Sequence, residues 1–199
     1  GIDKEFYNNH FIEKNKIPKN ETLKVLYAGN IGEGQGLHKI VPALASQLST
    51  RAHFLIIGDG GRKAELKKSI AALALPNVEL RNPVSREQLI DEYTKSDVLF
   101  LHLNDYPAFE KVLPSKLFEY AAFNKPILAG LAGYSANFAH EEIANCEIFR
   151  PCDVDSAVEK FDNLKLSVEP RIEFIEKFKR DKIMNMMAMD ILKILNEKA

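Results

Sequence analysis

Six short apolar runs, each separated from the next by an amphipathic stretch, constrain the fold of this chain more than any other feature. "LKVLYAG" (23–29), "AHFLIIG" (52–58), "NVEL" (77–80), "DVLFLHL" (97–103), "KPILAG" (125–130) and "CEIF" (146–149) are rich in Val, Ile, Leu and Phe. Runs of this length and composition read as strands buried on both faces. Between the first two, Leu37, Ile40, Val41, Leu44 and Leu48 recur at helical spacing, and Ser85 with Gln88 has capping-box spacing ahead of another helix. Strands and helices alternating in this way pack as a parallel sheet with helices on both faces, because right-handed crossovers leave few other topologies. The expected fold is α/β, a doubly wound parallel sheet of about six strands.

The ends depart from that alternation. Residues 1–22 are polar, carry Pro18 and are expected to be linker and lead-in; 23–153 form the sheet domain; 154–199 are helices completing it, with Ile183, Met187, Ile191, Ile194 and Leu195 near one face of the last. The single sheet argues for one domain in these 199 residues. With 27 basic against 28 acidic residues the net charge is -1, which offers no broad field for nucleic acid or an acidic membrane. Any anion must therefore be held locally. No run approaches the roughly 18 apolar residues that span a bilayer, and no signal-peptide pattern opens the chain. Gly1 in place of Met suggests a fragment, expected in the cytoplasm, with any attachment to the inner membrane face made through residues absent here. Cys146 and Cys152 read as reduced thiols, and histidines 10, 38, 53, 102 and 140 have no metal-ligand spacing.

Ligands of an open parallel sheet sit beyond the carboxyl ends of the strands, so the residues following each run are the informative ones. After the first run, the loop Gly29 to Gly36 contains Gly32 and Gly34, whose backbone amides could approach a phosphate; a tight strand-to-helix turn is the alternative. Its spacing misses the dinucleotide fingerprint, since the third glycine position is Leu37. Gly58 opens the turn after the second run, where Asp59 could accept from a ribose or cap the next helix; capping is favoured. Pro83 and Val84 offer a small apolar surface for a flat base, or a turn. The strongest place is Ser115, Lys116 and Glu119 at a helix start. Free amides, a hydroxyl, an ammonium and a helix dipole of about 0.3–2 kcal/mol favour a diphosphate there. A carboxylate one turn on can take two sugar hydroxyls at about 1.5–3 kcal/mol each. The alternative is an N-cap, a dipole-compatible acid and a solvated lysine. Asp153 and Asp155 mimic a metal-binding pair but are expected to cap a helix, and no metal site is expected.

Taken in order, "GID", "LYAGNIGEGQGL", "LIIGDGGRKAEL", "NVELRNPVSREQLIDEYTKSDVLFLHL" and "PSKLFEYAAFNKPILAG" resemble the Rossmann-like, donor-binding C-terminal half of GT-B fold, retaining glycosyltransferases of bacterial polysaccharide and lipopolysaccharide assembly. The Pro-Ser-Lys segment is similar to that of the subgroup including fucosamine transferases. The resemblance implies a nucleotide-sugar donor, most often linked to UDP, with no tightly bound cofactor and no metal requirement. It implies a donor-contacting set of Gly32, Gly34, Gly58, Pro83, Val84, Glu110, Ser115, Lys116 and Glu119, with the base at Pro83 and Val84, the phosphates at Ser115 and Lys116, and the ribose at Glu119. It further implies that the glycan or lipid-linked acceptor and part of the catalytic apparatus belong to a missing N-terminal domain, leaving this fragment inactive alone. Catalytic residues are not identified. Where the broader family has a glutamate, counting back from Glu119 reaches Lys111, with Glu110 one residue earlier, and Gln35 stands where a lysine is usual. The competing readings are a GT-B sugar-nucleotide epimerase, a nicotinamide-dependent oxidoreductase and, last, a phosphoacceptor receiver.

Overall fold

The computed structural model describes residues 1–7 and 22–196 of the chain. Six strands, β1 (Leu23–Asn30), β2 (Ala52–Asp59), β3 (Val78–Arg81), β4 (Val98–His102), β5 (Ile127–Gly130) and β6 (Cys146–Phe149), form one wholly parallel sheet in the order β3-β2-β1-β4-β5-β6. The connecting helices are α1 (Leu37–Gln47), α2 (Lys63–Ala72), α3 (Arg86–Lys95), α4 (Ser115–Ala122) and α5 (Gly133–Glu142), followed by α6 (Val154–Asn163), α7 (Ile172–Phe178) and α8 (Arg180–Asn196). The expected six-strand doubly wound architecture is the one observed.

Side chains alternate between two cores, as the pleat requires. Val25, Phe54 and Phe100 join Leu37, Ile40 and Leu44 of α1 and Phe161 of α6 on one face. Leu26, Leu99 and Leu101 join Tyr93 of α3, Leu117 and Tyr120 of α4 and Phe174 of α7 on the other. The order in which strands are added reverses between β1 and β4, and there the parallel ladder is short, pairing Val25 with Val98 and Leu26 with Leu99. Beyond it the Ala28 amide donates to the Tyr120 hydroxyl at 3.1 Å. This switch point opens the crevice at the carboxyl ends of the strands.

Residues 1–7, within the segment expected as lead-in, are packed. Ile2 is buried and bridges in parallel to Lys179, with its amide donating to the Phe178 carbonyl, and Phe6 is buried against Tyr93 and Phe123. Apolar Ile2 and Phe6 outweigh the polar residues between them. Pro18 and His10 lie outside the described residues. Arg171, buried before α7, donates to the carbonyls of Ala121, Lys125, Ala144 and Asn145 and so ties the end of α4 to the entrances of β5 and β6. Burial lowers its pKa to about 10, and the carbonyl dipoles solvate the cation in place of water. On α8, Met187, Ile191, Ile194 and Leu195 are more than half exposed, whereas Ile183 is half-buried beside Gly1.

Candidate functional site

At the carboxyl ends of β1 and β2 lies a cleft of about 310 Å³. Gly58, Pro83, Val84 and Lys116 line it together, joined by Asn30 and Asp59. Residues singled out from three separate stretches of the sequence, Gly58 with Asp59, Pro83 with Val84, and Lys116, thus meet because the segments following β2 and β3 and the start of α4 converge on the carboxyl edge of the sheet. Glu119 is drawn to the same place through Lys116. The Lys116 ammonium donates to Glu119 Oε2 at 2.7 Å and to the Tyr93 hydroxyl at 3.1 Å, and both Lys116 and Glu119 side chains are 22% exposed. Partial burial strengthens this pair relative to one in free solvent.

Gly32 and Gly34 stand apart from the cleft lining, in a 3-10 turn at Glu33–Gln35 leading into α1. Neither has a positive φ; within that turn the left-handed residue is Gly36. Gly34 is required by a close approach instead, because a Cβ there would meet the Phe109 ring at 2.8 Å. Gln35, where a cation might be expected, turns inward: its Oε1 accepts from Asn30 Nδ2 at 2.9 Å and from the Gly32 amide at 3.3 Å. His102 fixes the same turn from below. Its Nε2 accepts from the Cys152 amide at 2.9 Å, which puts the proton on Nδ1, and Nδ1–H donates to the Gln35 carbonyl at 2.7 Å. Burial holds the imidazole neutral, with its pKa down to about 4.

Around Glu33 a second charged cluster closes on itself. The carboxylate accepts from Arg62 Nε at 2.5 Å and from the Tyr106 hydroxyl, and it pairs with Lys39 at 3.7 Å. Lys39 also donates to Asn104 Oδ1 at 3.0 Å, while Asn104 Nδ2 donates to the Glu33 carbonyl at 2.8 Å. The Tyr106 hydrogen bond, aided by Arg62, holds the Glu33 carboxyl well below its ordinary range, at about 2.

Other expectations resolve differently. Asp59 does not cap α2, whose N-cap is Arg62; its carboxylate accepts from the adjacent Gly60 amide, leaving Asp59 on the cleft wall. The N-cap of α4 is Pro114, so Ser115 is the first helical residue, and it is exposed. Glu110 lies on an exposed turn outside the cleft lining, its backbone pressed against Gly133. Asp153 does cap α6, accepting from the Ser156 amide at 3.0 Å. Cys146 and Cys152 are free thiols. Among the described residues no group of three His, Cys, Asp or Glu is placed to hold a metal ion, and no helix is long and apolar enough to cross a membrane.

The sequence model of the family described as "Glycosyl transferases group 1" matches residues 9–181. The chain belongs to this family. WcaI of Escherichia coli (strain K12), named as a colanic acid biosynthesis glycosyl transferase, is 34% identical over 101 residues, covering 51% of this chain and 24% of WcaI. Anabaena HepE, solved with UDP and glucose, superimposes with a TM-score of 0.65 at 16% identity over 86% of this chain and 48% of HepE. The pneumococcal O-GlcNAc transferase GtfA, solved with UDP and GlcNAc, gives 0.64 at 14% identity over 88% of this chain and 36% of GtfA. At such identities the structural likeness concerns the fold, and the chain spans about half the length of HepE. The sheet is that of the Rossmann-like C-terminal domain of GT-B glycosyltransferases.

In this glycosyl transferase domain Tyr93, which accepts from Lys116, is among the residues that the sequence did not single out. Its spacing within "REQLIDEYTKS" marks it only as the buried side of α3, and the contact with Lys116 bridges 23 residues.

Proposed function

We propose that this chain is the donor-binding half of a retaining glycosyltransferase whose donor is a UDP-linked sugar. The observation that carries the reading is the convergence of Pro83, Val84, Gly58 and Lys116 on one cleft, with Glu119 paired to Lys116. An apolar ledge suits a base, a partly buried cation suits a diphosphate, and a carboxylate next to that cation suits the hydroxyls between them. As the bond to the sugar breaks, charge grows on the departing diphosphate, and Lys116 with the first amides of α4 stabilises it. Family membership and the UDP complexes of HepE and GtfA support the donor class; the WcaI match supports a place in surface polysaccharide assembly. The acceptor, as glycan or lipid-linked glycan, belongs to the other half of a longer protein working at the cytoplasmic side of the membrane, and no metal is required.

Calorimetric titration with UDP, GDP and NAD, with and without EDTA, tests this reading. UDP should bind tightest, EDTA should change nothing, and Glu119→Ala should weaken UDP by about tenfold without altering the melting temperature by more than a few degrees. Tighter binding of NAD, which the strand order also accommodates, or unchanged UDP affinity in the Glu119 variant, refutes it.

A further inference from the structure

We propose that Tyr93 is a positioning residue for the donor diphosphate: its hydroxyl aims the Lys116 ammonium into the cleft. The inference rests on the donor-site reading above. An ammonium carries three donors. Lys116 directs one to Glu119 at 2.7 Å and one to Tyr93 at 3.1 Å; the third has no protein partner among the described residues, and Lys116 is the lysine or arginine lining this cleft. A lysine head on four flexible methylenes has no direction of its own. When Glu119 turns to sugar hydroxyls, the Tyr93 hydroxyl is the partner that stays.

Tyr93 is built to stay. Its ring is fully buried and meets Phe123 edge-on at 4.6 Å, Tyr120 at 5.5 Å and Phe6 at 6.4 Å. In such a cluster phenylalanine would pack equally well, whereas a buried hydroxyl without a partner costs about 1–3 kcal/mol. The partner that offsets this cost is the Lys116 ammonium at 3.1 Å. Burial raises the pKa of the Tyr93 hydroxyl far above the ordinary tyrosine range, so it stays a neutral acceptor for the ammonium.

The test is calorimetry of UDP and of uridine with the unmodified chain, Tyr93→Phe, Lys116→Met and the double variant. Tyr93→Phe deletes one oxygen and leaves the ring contacts, so its melting temperature should stay within a few degrees. UDP should bind about five- to tenfold more weakly to Tyr93→Phe, uridine within about twofold, and Tyr93→Phe should add no further loss in the Lys116→Met background. Unchanged UDP affinity, an equal loss for uridine, or additive losses in the double variant overturns the role of Tyr93 while leaving the donor site standing. Failure of the unmodified chain to bind any nucleoside diphosphate overturns the functional reading, and this one with it.

Discussion

Two charged clusters flank the carboxyl ends of the strands. Around Glu33, Arg62 and Lys39 face two carboxylates, Glu33 and Glu65, together with a tyrosine hydroxyl and an asparagine, and each group answers another within the cluster. At Lys116 a single ammonium faces one carboxylate and one hydroxyl, with a donor left over beside the cleft. The first has more charged groups and the second has more to offer a ligand. What makes a binding site is a polar group whose hydrogen bonds the fold leaves incomplete, and the density of charge is a poor guide to it.

The largest expected difference lies in acid stability, because the closed cluster hangs on a buried imidazole. His102 titrates near pH 4 when folded and near 6.5 when free. Between those values the unfolded chain binds the extra proton, so stability is full above pH 6.5 and falls as the pH drops toward 4, by about 3 kcal/mol at 1.36 kcal/mol per unit. His102→Gln, which can still reach one of the two backbone partners, should start less stable at pH 7 and show a flatter decline over that window in urea titrations. Parallel pH curves for the two proteins would remove His102 as the acid-sensitive post.

Next in size is the contrast between the two lysines. Lys116→Met should weaken UDP by about tenfold to a hundredfold, the equivalent of one charge-assisted hydrogen bond. Lys39→Met, which removes a cation already held by Asn104, Tyr106 and Glu33, should change UDP affinity by less than about twofold. Reversal of that order in paired titrations would exchange the roles of the clusters.

How far each cluster could be read from the sequence follows from the range of its contacts. The sheet was legible because each strand announces itself in four to eight consecutive residues, and Ser85 with Gln88, like Asp153 as a cap, because caps act within a turn. Glu119 and Lys116 were singled out together since they share one helical turn, though their ion pair with each other was not foreseen. The closure of the Glu33 cluster was not legible, because Arg62, Asn104 and Tyr106 reach it from 29 to 73 positions away. Glycine was misleading for the same reason: Gly34 is small to admit Phe109 from another loop, a neighbour that its own sequence surroundings do not reveal. On α8 the periodicity of Ile183, Met187 and Ile191 was plain, but periodicity names a face and not what covers it.

The smallest effect is the sharpest test of the comparison. The Glu33 carboxyl titrates near pH 2, against an ordinary value of 4.5, first because Tyr106 donates to it and then because Arg62 pairs with it. A depressed carboxylate contributes stability that is complete above pH 4.5 and is lost as the pH falls toward 2. The difference in melting temperature between the unmodified chain and Glu33→Gln should therefore be a few degrees at neutral pH and should vanish near pH 2; high salt should narrow it, since the group is partly exposed. UDP affinity should stay within about twofold in the same variant, because the donors released on Arg62 and Lys39 lie outside the lining of the cleft. A loss of affinity as large as that at Lys116 would place the diphosphate on the closed cluster and make Glu33 the group that a ligand must displace.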